Sequence, residues 1–275
     1  MKDDVRYCEF LFLCEIEKHP LKWVNVNDAM EQQAVGLQQT MYAEMVMAML
    51  EDLYVHPNQD EILSLAREVR GETPRNPGIA RHNLFTKLIS GLYQFRITYR
   101  GRRRIEELRD LLKRDRILDD FGILLSIRYL RRDLEDALQR SSDIAVSVLY
   151  LDMDHFGNIN KQFGQAAGDV VMKAYLESVR DSIGDFGIGY RGVGDETVGL
   201  IIGQGHEKAV KIAETIKHCV AALQCQYKEK PLPSVTVSIG VATTPPESRS
   251  MDVETLAESR KRAAKDNGKN RIVAS

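Results

Sequence analysis

Two regimes of hydrophobic patterning divide the chain. From the start to about residue 116, apolar residues recur at helical spacing: Met41, Met45, Met49 and Leu53 fall at four-residue intervals, as one buried helix face would. Leu84, Leu88 and Leu92 repeat that spacing after Gly71-Glu72-Thr73-Pro74-Arg75-Asn76-Pro77-Gly78, a stretch of turn formers that breaks the helical pattern. The apolar run Tyr7-Cys8-Glu9-Phe10-Leu11-Phe12-Leu13 is predicted as an early strand, and the stretch around Trp23 carries no clear pattern. Phe95-Arg96-Ile97-Thr98-Tyr99 alternates as a strand does, and Gly101 precedes a helix predicted from about Arg103. The methionine stripe reads as core, because a flexible thioether fills irregular gaps between helices.

The second half is patterned differently. Ala145-Val146-Ser147-Val148-Leu149-Tyr150-Leu151 is a buried-type strand, followed by a helix with Val171, Tyr175 and Val179 on one face. Gly189-Tyr190-Arg191 and Val198-Gly199-Leu200-Ile201-Ile202 flank a turn and predict a hairpin. A helix from about Glu207 to Leu223, a strand at Val235–Ala242 and a basic C-terminal helix complete the order. Strand, helix, hairpin, helix, strand predicts an α/β sheet layered with helices, behind a mostly α-helical N-terminal domain. In that first part, the order helix, short strand, Arg100-Gly101, helix is similar to the end of a winged-helix domain.

Composition narrows the classes. A chain of 275 residues suggests about two domains. With 43% hydrophobic and 28% charged residues it is neither disordered nor fibrous. No apolar run approaches a bilayer span, and the acids in Met1-Lys2-Asp3-Asp4 are unlike a secretory leader, so a cytoplasmic protein without membrane contact is expected. Cys8, Cys14, Cys219 and Cys225 lack zinc-ligand spacing and read as reduced thiols. The net charge of −2 argues against a general polyanion binder. Residues 81–116 are an exception: eleven bases against four acids give +7, a segment that could contact DNA phosphates or form a solvated helix with internally paired arginines.

Candidate chemistry lies at the ends of the predicted strands of the second half. Asp152-Met153-Asp154 ends the first, and Gly194-Asp195-Glu196 fills the hairpin turn. Carboxylates from adjacent strand ends share a crevice, and oxygen donors without nearby histidine or cysteine favour Mg2+ bound together with phosphates.

From about Asp119 to Ile272 the sequence resembles the GGDEF-domain diguanylate cyclases. Asp152-Met153-Asp154-His155-Phe156-Gly157-Asn158-Ile159-Asn160 is similar to the family's D-x-D-x-F-K-x-I-N, and Phe163-Gly164-Gln165-Ala166-Ala167-Gly168-Asp169 to its F-G-H-x-x-G-D. Val193-Gly194-Asp195-Glu196-Thr197 stands at the G-G-D-E-F signature, Ser238-Ile239-Gly240-Val241-Ala242 at S-I-G-V-A, and Ala264-Lys265-Asp266-Asn267-Gly268-Lys269-Asn270 at A-K-x-x-G-R-N.

The resemblance implies a mainly antiparallel palm-like domain over 117–275 behind a helical regulatory or dimerisation domain over 1–116. It implies metal ligation by Asp152, Asp195 and the Met153 carbonyl, with Mg2+ as cofactor and Mn2+ as an alternative. Asp195 and Glu196 would be catalytic, Asn160 and Asp169 would read guanine, and Gly194, Lys265 and Lys269 would hold the phosphates of GTP. The implied reaction condenses two GTP molecules into cyclic di-GMP with release of pyrophosphate, in a homodimer. A carboxylate suits guanine, which offers a ring N–H and an amine where adenine has no ring N–H.

The chain departs from the pattern at Val193, Thr197 and Gly157, which replace a glycine, a phenylalanine and a lysine. A β-branched residue at 193 is expected to fit badly in a turn with positive φ. Gly184 and Gly187 fall where the family's inhibitory R-x-x-D site would stand, so inhibition through that site is not expected. Two other readings remain open: a non-catalytic domain that binds GTP or a cyclic dinucleotide and regulates a DNA-binding N-terminal half, and a cyclic-oligonucleotide synthase resembling CRISPR palm polymerases.

Overall fold

The computed structural model describes residues 2–20, 23–25, 39–73, 76–115, 117–140, 144–244 and 252–275. The chain divides into two compact units, Met1–Ile117 and Leu118–Ser275. No helix among the described residues is long and apolar enough to cross a membrane.

The first unit contains α1 (Lys2–Lys18), β1 (Trp23–Asn25), α2 (Gln39–Glu51), β2 (Val55–Pro57), α3 (Asp60–Val69), α4 (Pro77–Ser90), β3 (Leu92–Ile97) and α5 (Tyr99–Arg114). Its strands form an antiparallel sheet in the order β1-β3-β2. The predicted strand at Tyr7–Leu13 is instead part of α1. That run is densely apolar because α1 packs against α2, α5 and β3, burying Cys8, Phe10, Phe12, Leu13 and Ile16; so short an apolar run does not distinguish helix from strand. Leu92 does not continue the helix face of Leu84 and Leu88 but opens β3. α5 begins at Tyr99, earlier than Arg103, because the Thr98 hydroxyl accepts the Gly101 N–H at 3.1 Å and caps it. Met45 and Met49 are buried and Met41 is half-buried, so the methionines of the stripe face the core, whereas Leu53 lies beyond the end of α2 at φ 59°. In chain order α3 and α4 separate β2 from β3, so these strands form no simple hairpin wing, and a winged helix is not established.

The basic segment is paired with acids of the same unit at many of its positions, mostly acids outside the segment itself. Arg81 meets Glu44 and Glu51, Lys87 meets Glu61, and Arg104 makes a two-pronged contact with Glu9 at 2.8 and 3.1 Å. Arg102 meets Glu17, Arg103 meets Glu107 and Arg114 meets Asp115.

The second unit contains β4 (Leu125–Ser126), α6 (Leu130–Arg140), β5 (Val146–Asp154), α7 (Phe156–Phe163), α8 (Gln165–Ile183), β6 (Gly187–Arg191), β7 (Glu196–Ile202), α9 (His206–Ala221), β8 (Gln226–Tyr227), β9 (Lys230–Pro231), β10 (Thr236–Thr244), α10 (Asp252–Asp266) and β11 (Ile272–Val273). Six strands form one mixed sheet in the order β11-β10-β5-β7-β6-β4. β10, β5, β7 and β6 pair antiparallel, with β11 and β4 added parallel at the edges, so this is the mainly antiparallel α/β layering expected from the sequence. β5 is central and almost wholly apolar until its last turn of sequence, as a strand covered on both faces must be. Leu149, Leu151 and Met153 pack with Val171, Tyr175 and Val179 of α8 and with Ile212 and Ile216 of α9. The acids that end β5 therefore stand on a rigid, buried support.

Candidate active site

Backbone register brings the two acidic clusters together. Asp152 of β5 lies directly opposite Glu196 of β7 on one side and Ser238 of β10 on the other. Met153 turns its side chain into the core, leaving Asp152 and Asp154 on the opposite face. The β6–β7 turn closes through Gly192 N–H to Glu196 O at 2.9 Å, with Gly194 at φ 70°. Arg191 holds this turn: its Nη2 donates to the Gly194 carbonyl at 2.9 Å, and its Nη1 lies 3.5 Å from Asp119 Oδ2. Asp119 in turn accepts the Ile123 and Leu124 N–H groups on its other oxygen, at 2.7 and 3.2 Å.

The carboxylates are unequal. Asp154 is buried, which opposes ionisation, but donors from Thr236, the Asn270 backbone, Ser238 and Lys265 outweigh burial and hold its pKa below the ordinary value. Asp195 has no such set of donors. Burial, and then the negative charge of Asp152, push its pKa up, outweighing the opposing charge of Lys265.

Cations from α10 approach this pair. A Cβ at Gly240 would lie 2.1 Å from the Ala257 carbonyl and 2.3 Å from the Lys261 nitrogen, so α10 rests directly on β10 at that glycine. One helical turn apart, Lys261 and Lys265 reach the acids. Lys265 Nζ donates to the Met153 carbonyl at 2.7 Å and lies 2.7 Å from Asp152 Oδ1 and 3.0 Å from Asp154 Oδ1. Lys261 is buried; its Nζ donates to Glu196 Oε1 at 2.6 Å and lies 5.1 Å from the centre of the Tyr150 ring. Lys269, at φ 63° in the loop after α10, makes no side-chain hydrogen bond or ion pair among the described residues.

The expected base-reading pair flanks the Gly164 corner. Asn160 lies within α7, one turn before the Gly164 corner, with its Oδ1 buried and without a hydrogen-bond partner. A Cβ at Gly168 would lie only 1.7 Å from that oxygen, so glycine is required for the amide to sit there. Asp169 is exposed in the first turns of α8, with the Gln165 amide 3.4 Å from its Oδ1.

The departures from the family pattern have local accounts. Val193 does not need the left-handed region: that conformation falls on Gly194, and the Val193 side chain projects outward, 85% exposed, so the expected backbone misfit does not arise. Thr197 is fully buried and its hydroxyl hydrogen-bonds the Tyr175 hydroxyl at 2.7 Å, so packing behind the turn is filled from α8. A Cβ at Gly157 would meet nothing within 4 Å.

Arg191, Asp119 and Lys261 were not legible as site residues. Arg191 meets Asp119, and Lys261 meets Glu196, across long stretches of sequence, and a lysine beside Arg260 and Arg262 reads as solvated surface. For a divalent cation the available donors are the Asp152 and Asp195 carboxylates and the Met153 carbonyl; no cluster of three or more acidic, histidine or cysteine side chains arranged for a metal occurs among the described residues. The donors are hard oxygens, and an ammonium already lies against two of them, so they suit Mg2+ or Mn2+.

Comparison with known proteins places this arrangement. The family described as "Diguanylate cyclase, GGDEF domain" matches residues 117–271. Diguanylate cyclase A of Treponema denticola is 30% identical over 136 residues, 47% of this chain and 35% of that protein. The chain spans about a third to a half of the length of the curated relatives it matches, such as 47% of YhcK of Bacillus subtilis. Among solved structures, the coiled coil and GGDEF domain of DgcB from Caulobacter crescentus, in complex with c-di-GMP, has a TM-score of 0.56 at 21% identity, covering 64% of this chain and 94% of that one. Diguanylate cyclase SiaD from Pseudomonas aeruginosa, in complex with its activator SiaC, has a TM-score of 0.53 at 20% identity, covering 91% of this chain and 96% of that one. With its family match spanning more than half of its length, the chain belongs to the GGDEF diguanylate cyclase family.

Proposed function

We propose that the chain is a diguanylate cyclase that condenses two GTP molecules into cyclic di-GMP and pyrophosphate. The observation that carries this reading is the register that sets Asp152 against Glu196, with Asp195 in the turn between β6 and β7. Asp152, Asp195 and the Met153 carbonyl are the proposed ligands of Mg2+, or Mn2+ in its place. The bound cation would polarise phosphoryl oxygens and neutralise their charge. Asn160 and Asp169 would bind the guanine edge, and the unpartnered Asn160 Oδ1 is an acceptor that a guanine N–H could satisfy. Gly194 would let the phosphates approach the turn backbone, while Lys265 and Lys269 would supply positive charge to the triphosphate. Each domain has one such site, so the 3′-hydroxyl of one GTP would attack the α-phosphorus of another held by a second copy. On this reading the enzyme is a homodimer, with 117–275 as the cyclase domain and 1–116 as the regulatory or dimerisation domain.

The pairing of the basic segment with Glu9, Glu17, Glu44 and Glu107 gives no support for a DNA-binding output, and we do not include one. The test is incubation with GTP or ATP plus Mg2+, followed by chromatography and mass analysis, beside Asp195→Ala. The expected result is cyclic di-GMP from GTP alone, reduced on the order of 100-fold or more in the variant, the scale on which losing one group that stabilises developing charge slows an enzyme. GTP binding without product would overturn the cyclase in favour of a nucleotide sensor. A cyclic adenylate product would instead favour a cyclic-oligonucleotide synthase.

A further inference from the structure

We propose that α10 carries a built-in counter-ion for the acidic crevice: in the nucleotide-free protein the Lys265 ammonium occupies the place of the divalent cation, and Lys261 holds Glu196 away from it. This rests on the reading of Asp152, Asp195 and the Met153 carbonyl as the metal donors. Lys265 Nζ lies on two of those donors, the Met153 carbonyl and Asp152 Oδ1, each at 2.7 Å. An ammonium and a hydrated divalent cation cannot share these two oxygens, because both need them at contact distance and repel one another.

Lys265 is also fixed from its other side. It lies 3.0 Å from Asp154 Oδ1, a buried carboxylate already tied to Thr236, Ser238 and the Asn270 backbone. Its helix is pinned to β10 at Gly240, so the lysine is presented to the crevice by packed backbone. Lys261, one turn earlier, is buried except for its contact with Glu196 and the Tyr150 ring. A buried lysine needs a carboxylate partner, and here that need orients Glu196 toward α10.

The consequence is ordered loading. A cation alone must displace Lys265 without giving it another anion. A cation arriving with a triphosphate lets the ammonium exchange Asp152 and the Met153 carbonyl for a phosphate oxygen while remaining near Asp154. Metal and nucleotide should therefore bind with positive coupling, and the site should hold little metal between turnovers.

The test is Mn2+ titration followed by electron paramagnetic resonance, without nucleotide and with GTP, on the full chain and on Lys265→Met, Lys265→Arg and Lys261→Met. Without nucleotide, Lys265→Met is expected to bind Mn2+ more tightly than wild type by on the order of 10-fold, the scale of a hydrogen bond to a charged group. Lys261→Met should show a smaller gain, and Lys265→Arg, which keeps the cation, none. If Lys265→Met lacks a cooperative thermal transition, Lys265→Gln carries the same expectation. GTP should tighten Mn2+ binding in wild type more than in the neutral variants. Unchanged or weaker metal-only binding in the neutral variants, with GTP-dependent binding retained in wild type, would overturn the counter-ion while leaving the metal site standing. No Mn2+ binding in any protein, with or without GTP, would overturn the metal site and the counter-ion with it.

Discussion

Helix α5 and the acidic crevice at the ends of β5 and β7 concentrate charge in opposite ways. In α5 most of the paired arginines stand at the surface: Arg102, Arg103 and Arg114 keep 63%, 65% and 74% of their side chains exposed, with acids 3.5 to 4.0 Å away, while Arg104 is partly buried, against Glu9. Such pairs are solvated and screened, each contributing about 0 to 1 kcal/mol. In the crevice, Asp152 and Asp154 keep only 23% and 0% of their side-chain exposure, and Lys265 reaches them from more than a hundred residues away. Asp195 still faces Asp152 with its ionisation disfavoured. A run of charge whose members find nearby partners on the surface needs no ligand, whereas carboxylates gathered by a buried sheet and incompletely neutralised do.

The largest break in this comparison should come at Asn160 and Asp169, the proposed base-reading pair. Asp169→Ala is expected to raise the KM for GTP on the order of 10-fold or more, the scale of a hydrogen bond to a charged group, and to narrow the preference over ATP. Steady-state kinetics with both nucleotides reads it. Thr197→Val should come next. It removes the partner of the buried Tyr175 hydroxyl and should cost about 1 to 3 kcal/mol in denaturant unfolding, with nucleotide affinity retained.

Asp195 sharpens the contrast through pH. Its pKa is raised in the folded chain, so in the absence of divalent cations its ionisation costs stability as pH rises from the ordinary aspartate range through the raised value. Asp195→Asn should therefore melt higher than wild type at neutral pH, with the gap closing as pH falls below about 4, the ordinary aspartate value, where the wild-type acid becomes neutral in both states. Thermal melts across that range, in a chelating buffer, measure it. The smallest effect is expected at α5: Arg103→Ala should change unfolding free energy by no more than about 0.5 kcal/mol, with product formation unaffected.

What could be read from the sequence was local. The strand-end acids, the hairpin that carries Asp195 and Glu196, and the helix face of Val171, Tyr175 and Val179 each show within a short window, and the structure forms each element. α1 was misread because tertiary packing covers it on several sides and erases its amphipathic period. The misfit expected at Val193 did not arise, because which residue of a turn takes positive φ depends on the hydrogen bonds that close it, here from Gly192 to Glu196 and from Arg191 to Gly194. Lys261 is the sharpest omission. Flanked by Arg260 and Arg262 it has every mark of solvated surface, and only the close seat of α10 on Gly240 buries it against Glu196.

The most direct test of the central claim is a crystal structure with Mn2+ and 3′-deoxyguanosine triphosphate, a substrate analogue without the attacking hydroxyl. The account predicts an anomalous manganese peak among Asp152, Asp195 and the Met153 carbonyl, with Lys265 moved onto the triphosphate and the guanine edge on Asn160 and Asp169. Manganese or nucleotide bound elsewhere, with Lys265 still on the Met153 carbonyl, would contradict it.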